Sequence, residues 1–479
     1  FFTIISGFIL PKIILSYFGS EVNGLVSSLN QFLAYITLVE GGITGVILAN
    51  LYKPLVDKDE KKLSSVLVTA DSFFKKIGLL FVVYTLILAT VYPIIFKTRF
   101  SYGYIFLLTM ILSVNLLIQY MFSLTLKTIL NADKKGYIVN FTQTIIVICN
   151  IILAIISVII YPSIHVLKLI SGMLFILQPV VFGKYVKSHY HIDWRAPRDN
   201  SLIKERWNGF AINLAAFIHN STDITILTIF TSLKIVSIYS VYNLVSSGIK
   251  QLINACLTGI AHTVGQAYAK RNFDELNQKM DIYEYIVFVL VYFFFTVSAL
   301  LITPFVQIYT KGIVDTNYYQ PVFGILLLIS EALYLIKLPH LNLAYSANKF
   351  KEITLPAFIE ATLNIVISII LVSKWGLIGV AVGTIAGMIY RMIFHVYYTS
   401  KIVPDRKQSK FYKKFLLFSV TAIIGFYLCY KCFPIVNVTV FNWIMHAIIY
   451  CVILGSIYGL ISFGFFKKEL KFFIRYLKR

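Results

Sequence analysis

The stretch Ile77–Phe96, IGLLFVVYTLILATVYPIIF, contains twenty residues and not one charged side chain. Since a helix rises about 1.5 Å per residue, such a stretch is long enough to cross ~30 Å of hydrocarbon. A window of about 19 residues finds roughly fourteen stretches of this kind, all continuous rather than alternating, which predicts membrane-spanning helices and excludes a β-barrel. Their predicted centres are Phe8, Tyr35, Leu86, Leu116, Cys149, Leu174, Phe217, Gln251, Leu290, Ala332, Leu363, Ala386, Ala422 and Val452.

The composition agrees with a membrane protein. The 479 residues are 58% hydrophobic and 13% charged, with a mean hydropathy of +0.80, whereas soluble globular chains carry about 25% charged residues. Too few polar side chains are present to cover a water-facing surface, so a soluble enzyme is excluded. Five cysteines in a chain of this length also exclude a disulfide scaffold. The chain begins at Phe1 without Met, so we expect the native protein to start upstream.

The basic residues fall mainly in alternate polar segments. Of the 43 Lys and Arg, 32 lie in segments on one predicted side of the membrane. The positive-inside rule then predicts that this side and both termini are cytoplasmic. The net charge of +22 is therefore explained by the orientation of the spans in the membrane, and we predict no nucleic-acid partner. Segments 61–76 and 467–479 interleave basic with apolar or aromatic residues, which predicts interfacial helices on anionic membrane lipids.

Two short matches indicate an internal repeat. Leu25–Ser28 (LVSS) recurs as Leu244–Ser247, and the polar turn Asn131–Lys135 resembles Ser346–Lys349. At similar offsets these matches predict two parallel six-helix halves with a substrate site between them, which is a transporter plan. The predicted organisation is an N-terminal lobe over 1–186, a cytoplasmic linker over 187–207, a C-terminal lobe over 208–400, and two additional helices with a basic tail over 401–479.

Eight ionisable residues fall inside predicted spans: Lys12, Glu40, Asp223, Lys250, Glu331, Lys337, Glu360 and Arg391. Each charge would cost about 2.5–3.5 kcal/mol against lipid, so these groups must face each other or water. Helix–helix ion pairs and a functional cavity are both open, and for Glu360 and Arg391 near the span ends ion pairing or snorkelling is as plausible as cavity lining. Cavity lining is favoured for Lys250, Asp223 and Glu331 near mid-span.

Helical phase adds neighbours to two of these residues. Asn243, Ser247, Lys250 and Asn254 form one polar stripe on the eighth span. His219 and Asp223 are four residues apart on one face of the seventh predicted span. They could form a proton-coupling pair or a hydrogen bond that only orients the imidazole.

Other polar features of the spans favour structural roles. Pro339 interrupts the tenth span and predicts a kink. In the fifth span Gln143 and Asn150, together with Asn140, favour hydrogen bonds between helices.

Motifs of enzyme chemistry are missing from the sequence. It has no Walker A loop, no dinucleotide fingerprint and no zinc-protease pair. We therefore predict no catalytic residue, metal site or cofactor beyond possible H⁺ or Na⁺ coupling through a buried carboxylate.

The N-terminal fifty residues resemble the first two helices of Wzx-type polysaccharide flippases, in the multidrug/oligosaccharidyl-lipid/polysaccharide (MOP) exporter superfamily. The matching elements are Pro11, Phe18-Gly19, Asn23-Gly24, Glu40-Gly41-Gly42 and Leu51-Tyr52, together with Asn131-Ala132 at the end of span four. The resemblance implies an all-α, two-lobed 6+6+2 bundle of the MATE-like MOP type, with about fourteen helices, alternating between inward- and outward-open states.

The resemblance also implies a function in a bacterial plasma membrane. The substrate would be an undecaprenyl-diphosphate-linked oligosaccharide repeat unit, moved from the inner to the outer leaflet for capsule, exopolysaccharide or O-antigen assembly, with a polymerase and assembly proteins as further partners. Cavity cations would hold the diphosphate and acidic sugars, and Lys12, Lys250, Lys337 and Arg391 match this role. Glu40, Asp223 and Glu331 depart from a purely cationic cavity and favour ion coupling.

Three rival functions remain open at the level of sequence. A cation-coupled drug or metabolite antiporter would share the fold but would need an acid-dominated cavity. A lipid II flippase would differ only in substrate. A membrane glycosyltransferase or polymerase would need a long outer loop or an acidic catalytic motif, and the longest predicted outer segments have only about a dozen residues.

Overall fold

Helices make up every regular element of the residues described by the computed structural model, which are 2–40, 42–96, 98–199, 201 and 207–477. The helices up to residue 189 are α1 (Phe2–Ala34), α2 (Thr37–Glu40), α3 (Ile43–Asp57), α4 (Glu60–Ile95), α5 (Tyr102–Ile118), α6 (Leu124–Ala132), α7 (Gly136–Ile160), α8 (Ile164–Met173) and α9 (Leu177–His189). The later helices are α10 (Trp207–Phe230), α11 (Leu233–Ala269), α12 (Phe273–Tyr309), α13 (Pro321–Ile336), α14 (Leu338–Ser346), α15 (Phe350–Trp375), α16 (Leu377–Ile402), α17 (Gln408–Cys432), α18 (Val440–Phe465) and α19 (Lys467–Leu477).

Eleven helical segments among the described residues are long and apolar enough to cross a membrane. The protein is therefore a multi-pass membrane protein, as predicted. The count of fourteen stays a prediction, although twelve of the fourteen predicted centres fall on these α-helices and Leu174 falls on a short 3₁₀ helix, Leu174–Ile176, between α8 and α9. The exception is Tyr35, which lies in a turn between α1 and α2.

Two glycines set the path of the first helices. Gly19 interrupts α1 with φ 82° and ψ 177°, and Gly42 precedes α3 with φ 81°. Side chains with a Cβ rarely adopt such angles, so glycine is required at both breaks. Both glycines belong to elements of the resemblance, Phe18-Gly19 and Glu40-Gly41-Gly42. In this structure each of these elements contains a break between helical segments.

Segment 61–76 is not a separate interfacial helix, contrary to the prediction. It forms the first part of α4, a single helix of 36 residues that spans about 54 Å. Asp59 caps α4 by accepting a hydrogen bond from the Lys62 backbone N–H at 3.0 Å, and the apolar residues of the segment, such as Leu67, are buried in the protein. The predicted helix at the C-terminal end does form, as α19.

The chain divides into two compact units, Phe1–Thr225 and Ile226–Arg479. In the first unit, part of the predicted linker 187–207 is held against the helices. The Tyr190 hydroxyl donates to Asp133 at 2.6 Å, and the Asp193 backbone N–H donates to Ser64 at 3.0 Å. Burial and the adjacent Asp133 carboxylate raise the pKa of Tyr190, so this hydroxyl stays a donor at physiological pH.

Helix corners recur in the two units at a nearly constant offset. Asp59 and Asn272 cap α4 and α12 in the same way, 213 positions apart. The αL residues Lys134 and Asn348 close α6 and α14, 214 positions apart. An equivalent backbone hydrogen bond follows each αL residue. The Lys135 N–H donates to the Leu130 carbonyl at 2.7 Å, and the Lys349 N–H donates to the Ala344 carbonyl at 3.0 Å.

These corners bear out one of the two sequence matches. The polar turns Asn131–Lys135 and Ser346–Lys349 are equivalent in backbone geometry. The match of Leu25–Ser28 with Leu244–Ser247 has an offset of 219, which does not follow the backbone correspondence.

Candidate functional site

Helices α15 and α16 of the second unit approach each other unusually closely. A Cβ on Gly383 would lie 2.2 Å from Ser368 Oγ and 2.8 Å from backbone atoms of α15, and a Cβ on Gly387 would lie 2.9 Å from the Glu360 carbonyl oxygen. Together with Gly379 these residues form a glycine stripe with four-residue spacing, which lets two membrane helices pack backbone to backbone. The stripe fixes α15 against the face of α16 that carries Arg391.

This packing brings three ionisable side chains together in the buried interior. Arg391 Nη1 lies 2.7 Å from Glu360 Oε2, and Lys337 Nζ lies 3.7 Å from the same oxygen. Arg391 Nε also donates to His395 Nε2 at 2.7 Å, which makes His395 the neutral tautomer protonated at Nδ1. Glu360 is therefore shared between two cations.

A second ion pair adjoins this group. Lys250 Nζ lies 2.9 Å from Glu331 Oε2, with the two side chains only 15% and 12% exposed. The ring of Tyr334 joins the pairs, because Lys250 Nζ and Lys337 Nζ each lie 4.7 Å from its centroid, within cation–π range. We refer to Lys250, Glu331, Lys337, Glu360 and Arg391 as the Glu360 cluster. It contains three cations and two carboxylates.

The break between α13 and α14 positions the middle of the Glu360 cluster. Lys337 stands between the two helices, and Pro339 occupies the first turn of α14, as the predicted kink requires. Lys337 is 3% exposed and reaches Met388 Sδ at 3.5 Å in addition to Glu360.

A further buried network lies where α12, α14 and α17 meet the loop 403–407. Glu284, 1% exposed, pairs with Arg406 at 2.5 Å and with Lys414 at 3.2 Å. Asp281 pairs with the same two cations at 3.2 and 3.5 Å. Burial lowers the pKa of Arg406, but Glu284 and Asp281 more than offset this and raise it overall, so its charge is permanent. These four residues are the Glu284 cluster.

His340 stands beside the Glu284 cluster on α14. Its Nδ1 is hydrogen-bonded to Thr399 Oγ1 at 3.0 Å, and its Nε2 lies 3.4 Å from Glu284 Oε1. Thr399 and His395 are one turn apart on α16, so buried polar groups extend from one cluster to the other.

The structure brings four of the predicted site residues together: Lys250, Glu331, Lys337 and Arg391. Asn243 and Asn254 lie on the same helix as Lys250 and are half-buried. Asn243 accepts a hydrogen bond from Ser246 at 3.3 Å. No contact of Asn254 with the Glu360 cluster is present among the described interactions of the second unit.

The remaining predicted residues belong to the first unit. Lys12 on α1 is half-buried and Asp223 on α10 is 5% exposed. The side chain of His219 lies outside the part of the chain that the structure describes, so the predicted pair with Asp223 stays a prediction. Glu40 accepts hydrogen bonds from the hydroxyls of Thr44 and Tyr120 at the break before α3.

Two of the three amides of the fifth predicted span make hydrogen bonds between helices as predicted, whereas Asn140 is exposed. Asn150 accepts from Ser171 at 2.7 Å, and Gln143 accepts from Gln178 at 3.0 Å, each bond joining α7 to the following helices. Asn364 and Thr384 make the equivalent bond between α15 and α16 at 3.3 Å. Interhelical hydrogen bonding is thus confirmed for Gln143 and Asn150.

Sequence reasoning missed Tyr334, His395 and the whole Glu284 cluster. A signal existed for Tyr334, since it lies three residues from both Glu331 and Lys337 on an apolar helix. Glu284 and Arg406 are 122 residues apart, and no local pattern links them.

Comparison with solved structures identifies the fold. The lipid II flippase MurJ, in an inward closed conformation, matches with a TM-score of 0.74 at 17% identity, over 95% of this chain and 97% of that one. An inward-facing multidrug resistance MATE family transporter of the MOP superfamily matches with a TM-score of 0.66 at 14% identity, over 83% of this chain and 95% of that one. The chain shares the fold of these two structures, the MurJ/MATE-like MOP fold. No protein-family profile and no curated protein sequence matches it.

The MOP fold agrees with the predicted fold class. A third structure, that of the MATE multidrug transporter DinF-BH, matches with a TM-score of 0.62 at 16% identity, over 85% of this chain and 93% of that one. At these identities the likeness establishes the fold alone, and the substrate has to be argued from the site.

Proposed function

We propose that this protein is a flippase for undecaprenyl-diphosphate-linked oligosaccharide repeat units, which it moves from the inner to the outer leaflet of a bacterial plasma membrane by alternating access. The product would feed capsule, exopolysaccharide or O-antigen assembly. In this proposal both termini are cytoplasmic, and the helices are organised as lobes over 1–186 and 208–400 with two additional helices after residue 400.

The charge of the Glu360 cluster carries the proposal. Three cations and two carboxylates, all at most 15% exposed, make up the cluster, so cations outnumber carboxylates within it. Charge in a membrane interior is costly, and an anionic ligand offsets positive charge there. A diphosphate supplies negative charge together with many acceptor oxygens, and Lys and Arg are the side chains that replace phosphate hydration.

The chemistry of the substrate requires such a group. A diphosphate cannot cross hydrocarbon unaided, while its prenyl tail can remain in the lipid. In the proposed mechanism Lys250 and Lys337, which both contact the Tyr334 ring, hold the diphosphate, whereas Arg391 is held by Glu360 and His395. Glu331 releases Lys250 when the diphosphate binds, and Glu331 is the carboxylate that we propose for H⁺ or Na⁺ coupling.

The test is a strain that lacks the gene, assayed for surface polysaccharide and for the leaflet of lipid-linked repeat units with an externally added sugar-binding probe. We expect polymer to be lost and repeat units to be trapped inside. Restoring the gene with Lys250→Ala should fail to rescue export at normal protein level. Lys374→Ala, which changes an exposed lysine on α15, is the matched control and should rescue fully. Normal polymer in the strain lacking the gene would overturn the proposal.

A lipid II flippase is the second candidate, favoured by the match to MurJ over 97% of that chain. It is separated from the first by substrate. A strain depleted of its own lipid II flippase should stay non-viable when it expresses this protein, and rescue would favour the second candidate.

The drug antiporter is disfavoured by the cluster's positive excess. Expression in a strain without drug exporters should leave drug tolerance unchanged. A gradient-dependent rise in tolerance would support the antiporter.

A further inference from the structure

A cavity of about 410 Å³ lies in the first unit, where the break at Gly42 separates α2 from α3. Its volume falls in the range of small-molecule sites, about 300–1,000 Å³. The polar part of its wall is formed by Thr37, Glu40 and Thr44, and the apolar part by Leu38, Leu214 and Phe217. The Glu360 cluster is no part of this cavity, because its residues all lie in the second unit.

The polar wall presents acceptors and hydroxyls. Glu40 is held in place by the hydroxyls of Thr44 and Tyr120, both of which donate to it. A carboxylate has about four acceptor positions, so two further donors can be accommodated. The Thr37 and Thr44 hydroxyls add groups that both donate and accept.

The apolar wall includes one aromatic ring, that of Phe217. The Phe217 ring packs against Tyr35 with centroids 5.1 Å apart, and the Tyr35 hydroxyl is hydrogen-bonded to Thr225 at 2.8 Å. An aromatic ring, a carboxylate and hydroxyls lining one cavity match a pyranose ring, which has apolar C–H faces and a rim of hydroxyl donors.

Other ligand classes fit this cavity less well. A phosphate would be repelled by Glu40, which has no cationic partner among the residues lining the cavity. A metal ion needs several ligands around one point, and no group of three His, Cys, Asp or Glu occurs within the described residues. The volume is also far larger than one ion requires.

We propose that this cavity is a subsite for a sugar ring of the transported headgroup, with Glu40 as the acceptor for its hydroxyls. The inference rests on the proposed function, in which the transported lipid carries an oligosaccharide headgroup.

Gly45 allows a sharp test. Gly45 belongs to α3 and lines the cavity, and a Cβ at this position would meet nothing within 4 Å. Gly45→Leu should therefore fill the cavity without displacing neighbouring atoms of the protein. Gly103→Leu is the matched control, since Gly103 is also helical and has open space around it but lines no described cavity.

The full chain in lipid nanodiscs would be offered two ligands. One is undecaprenyl diphosphate without sugar, and the other is the lipid-linked repeat unit extracted from the strain lacking the gene. We expect the wild-type protein to bind the glycosylated lipid at least about tenfold more tightly, as hydrogen bonds to a charged group imply. Gly45→Leu and Glu40→Gln should abolish this preference and leave the affinity for undecaprenyl diphosphate unchanged, while Gly103→Leu keeps both.

The outcomes separate the two proposals. Equal binding of both lipids by the wild-type protein, or a preference that survives both cavity variants, overturns the sugar subsite and leaves the flippase proposal intact. Failure of the wild-type protein to bind either lipid overturns the proposed function.

Discussion

Two equivalent helical segments, 102–132 in the first unit and 321–346 in the second, break at the same place but with different chemistry. Leu124 and Leu338, which open α6 and α14, are 214 positions apart. In the first unit the break is a π-turn over Gln119–Ser123, whose buried polar residues are uncharged. In the second unit it is the kink at Lys337, at the centre of the Glu360 cluster.

The same contrast extends to other equivalent positions. Glu284, fully buried among cations, corresponds at an offset of 213 to Asp71, whose only described ion pair is with Lys75 on the surface. Tyr334, whose ring contacts two lysines, corresponds at 214 to Tyr120, whose hydroxyl is bonded to Glu40. The backbone is thus repeated while buried charge is concentrated in the second unit. The positions of the helix breaks are repeated with the backbone, whereas the side chains at each break differ between the two units.

The largest contrast is expected at the pair Glu284 and Asp71. Glu284→Gln leaves Arg406 and Lys414 with only Asp281, and breaking a buried ion pair costs about 3–5 kcal/mol. Asp71→Asn removes an exposed i, i+4 pair, which contributes about 0–1 kcal/mol. Thermal unfolding of both variants in detergent measures the difference. Similar melting temperatures for the two variants would contradict the view that charge is specialised to the second unit.

The next effect concerns the close approach of α15 and α16. Gly383→Ala places a Cβ 2.8 Å from the α15 backbone, and overpacking of this kind costs about 1–3 kcal/mol. Gly172→Ala in the first unit meets Val114 at 3.3 Å and should be milder. The control is Gly459→Ala, which meets nothing within 4 Å. Melting temperatures should rank in this order, and a harmless Gly383→Ala would show that the glycine stripe does not set the helix distance.

How far the sequence predicts this molecule depends on the range of the interaction. Apolar length predicted the spans, because it is a property of one helix. The glycine stripe at 379, 383 and 387 was readable from its spacing. The Glu284 cluster was not, because it joins residues more than a hundred positions apart through the packing of three helices.

Within the predicted site the sequence supplied residues but not their partners. Lys250, Glu331, Lys337 and Arg391 were recognised as costly charges inside spans. Their arrangement around Glu360 depends on the distance between α15 and α16, which a single span cannot reveal.

A third prediction exchanges the residue at the equivalent break. Lys337→Ser gives the second unit the residue that Ser123 supplies in the first. Stability should change by about 1 kcal/mol, because Glu360 keeps Arg391 at 2.7 Å. Affinity for undecaprenyl diphosphate should fall about 10- to 100-fold, as loss of a charged hydrogen bond implies. Lys374→Ser is the surface control, and equal affinity in the two variants would remove Lys337 from the site.

The smallest effects are expected at the equivalent tyrosines, which use different parts of the same side chain. Tyr120→Phe removes one hydrogen bond to Glu40 and should lower stability by about 1 kcal/mol. At Tyr334 the ring carries the contacts, so Tyr334→Leu should reduce export more than Tyr334→Phe, since a cation–π contact contributes about 0.5–2 kcal/mol. Export rates normalised to protein level measure this order. If Tyr334→Phe were as damaging as Tyr334→Leu, the hydroxyl would matter in both units, and the aromatic platform for Lys250 and Lys337 would lose its basis.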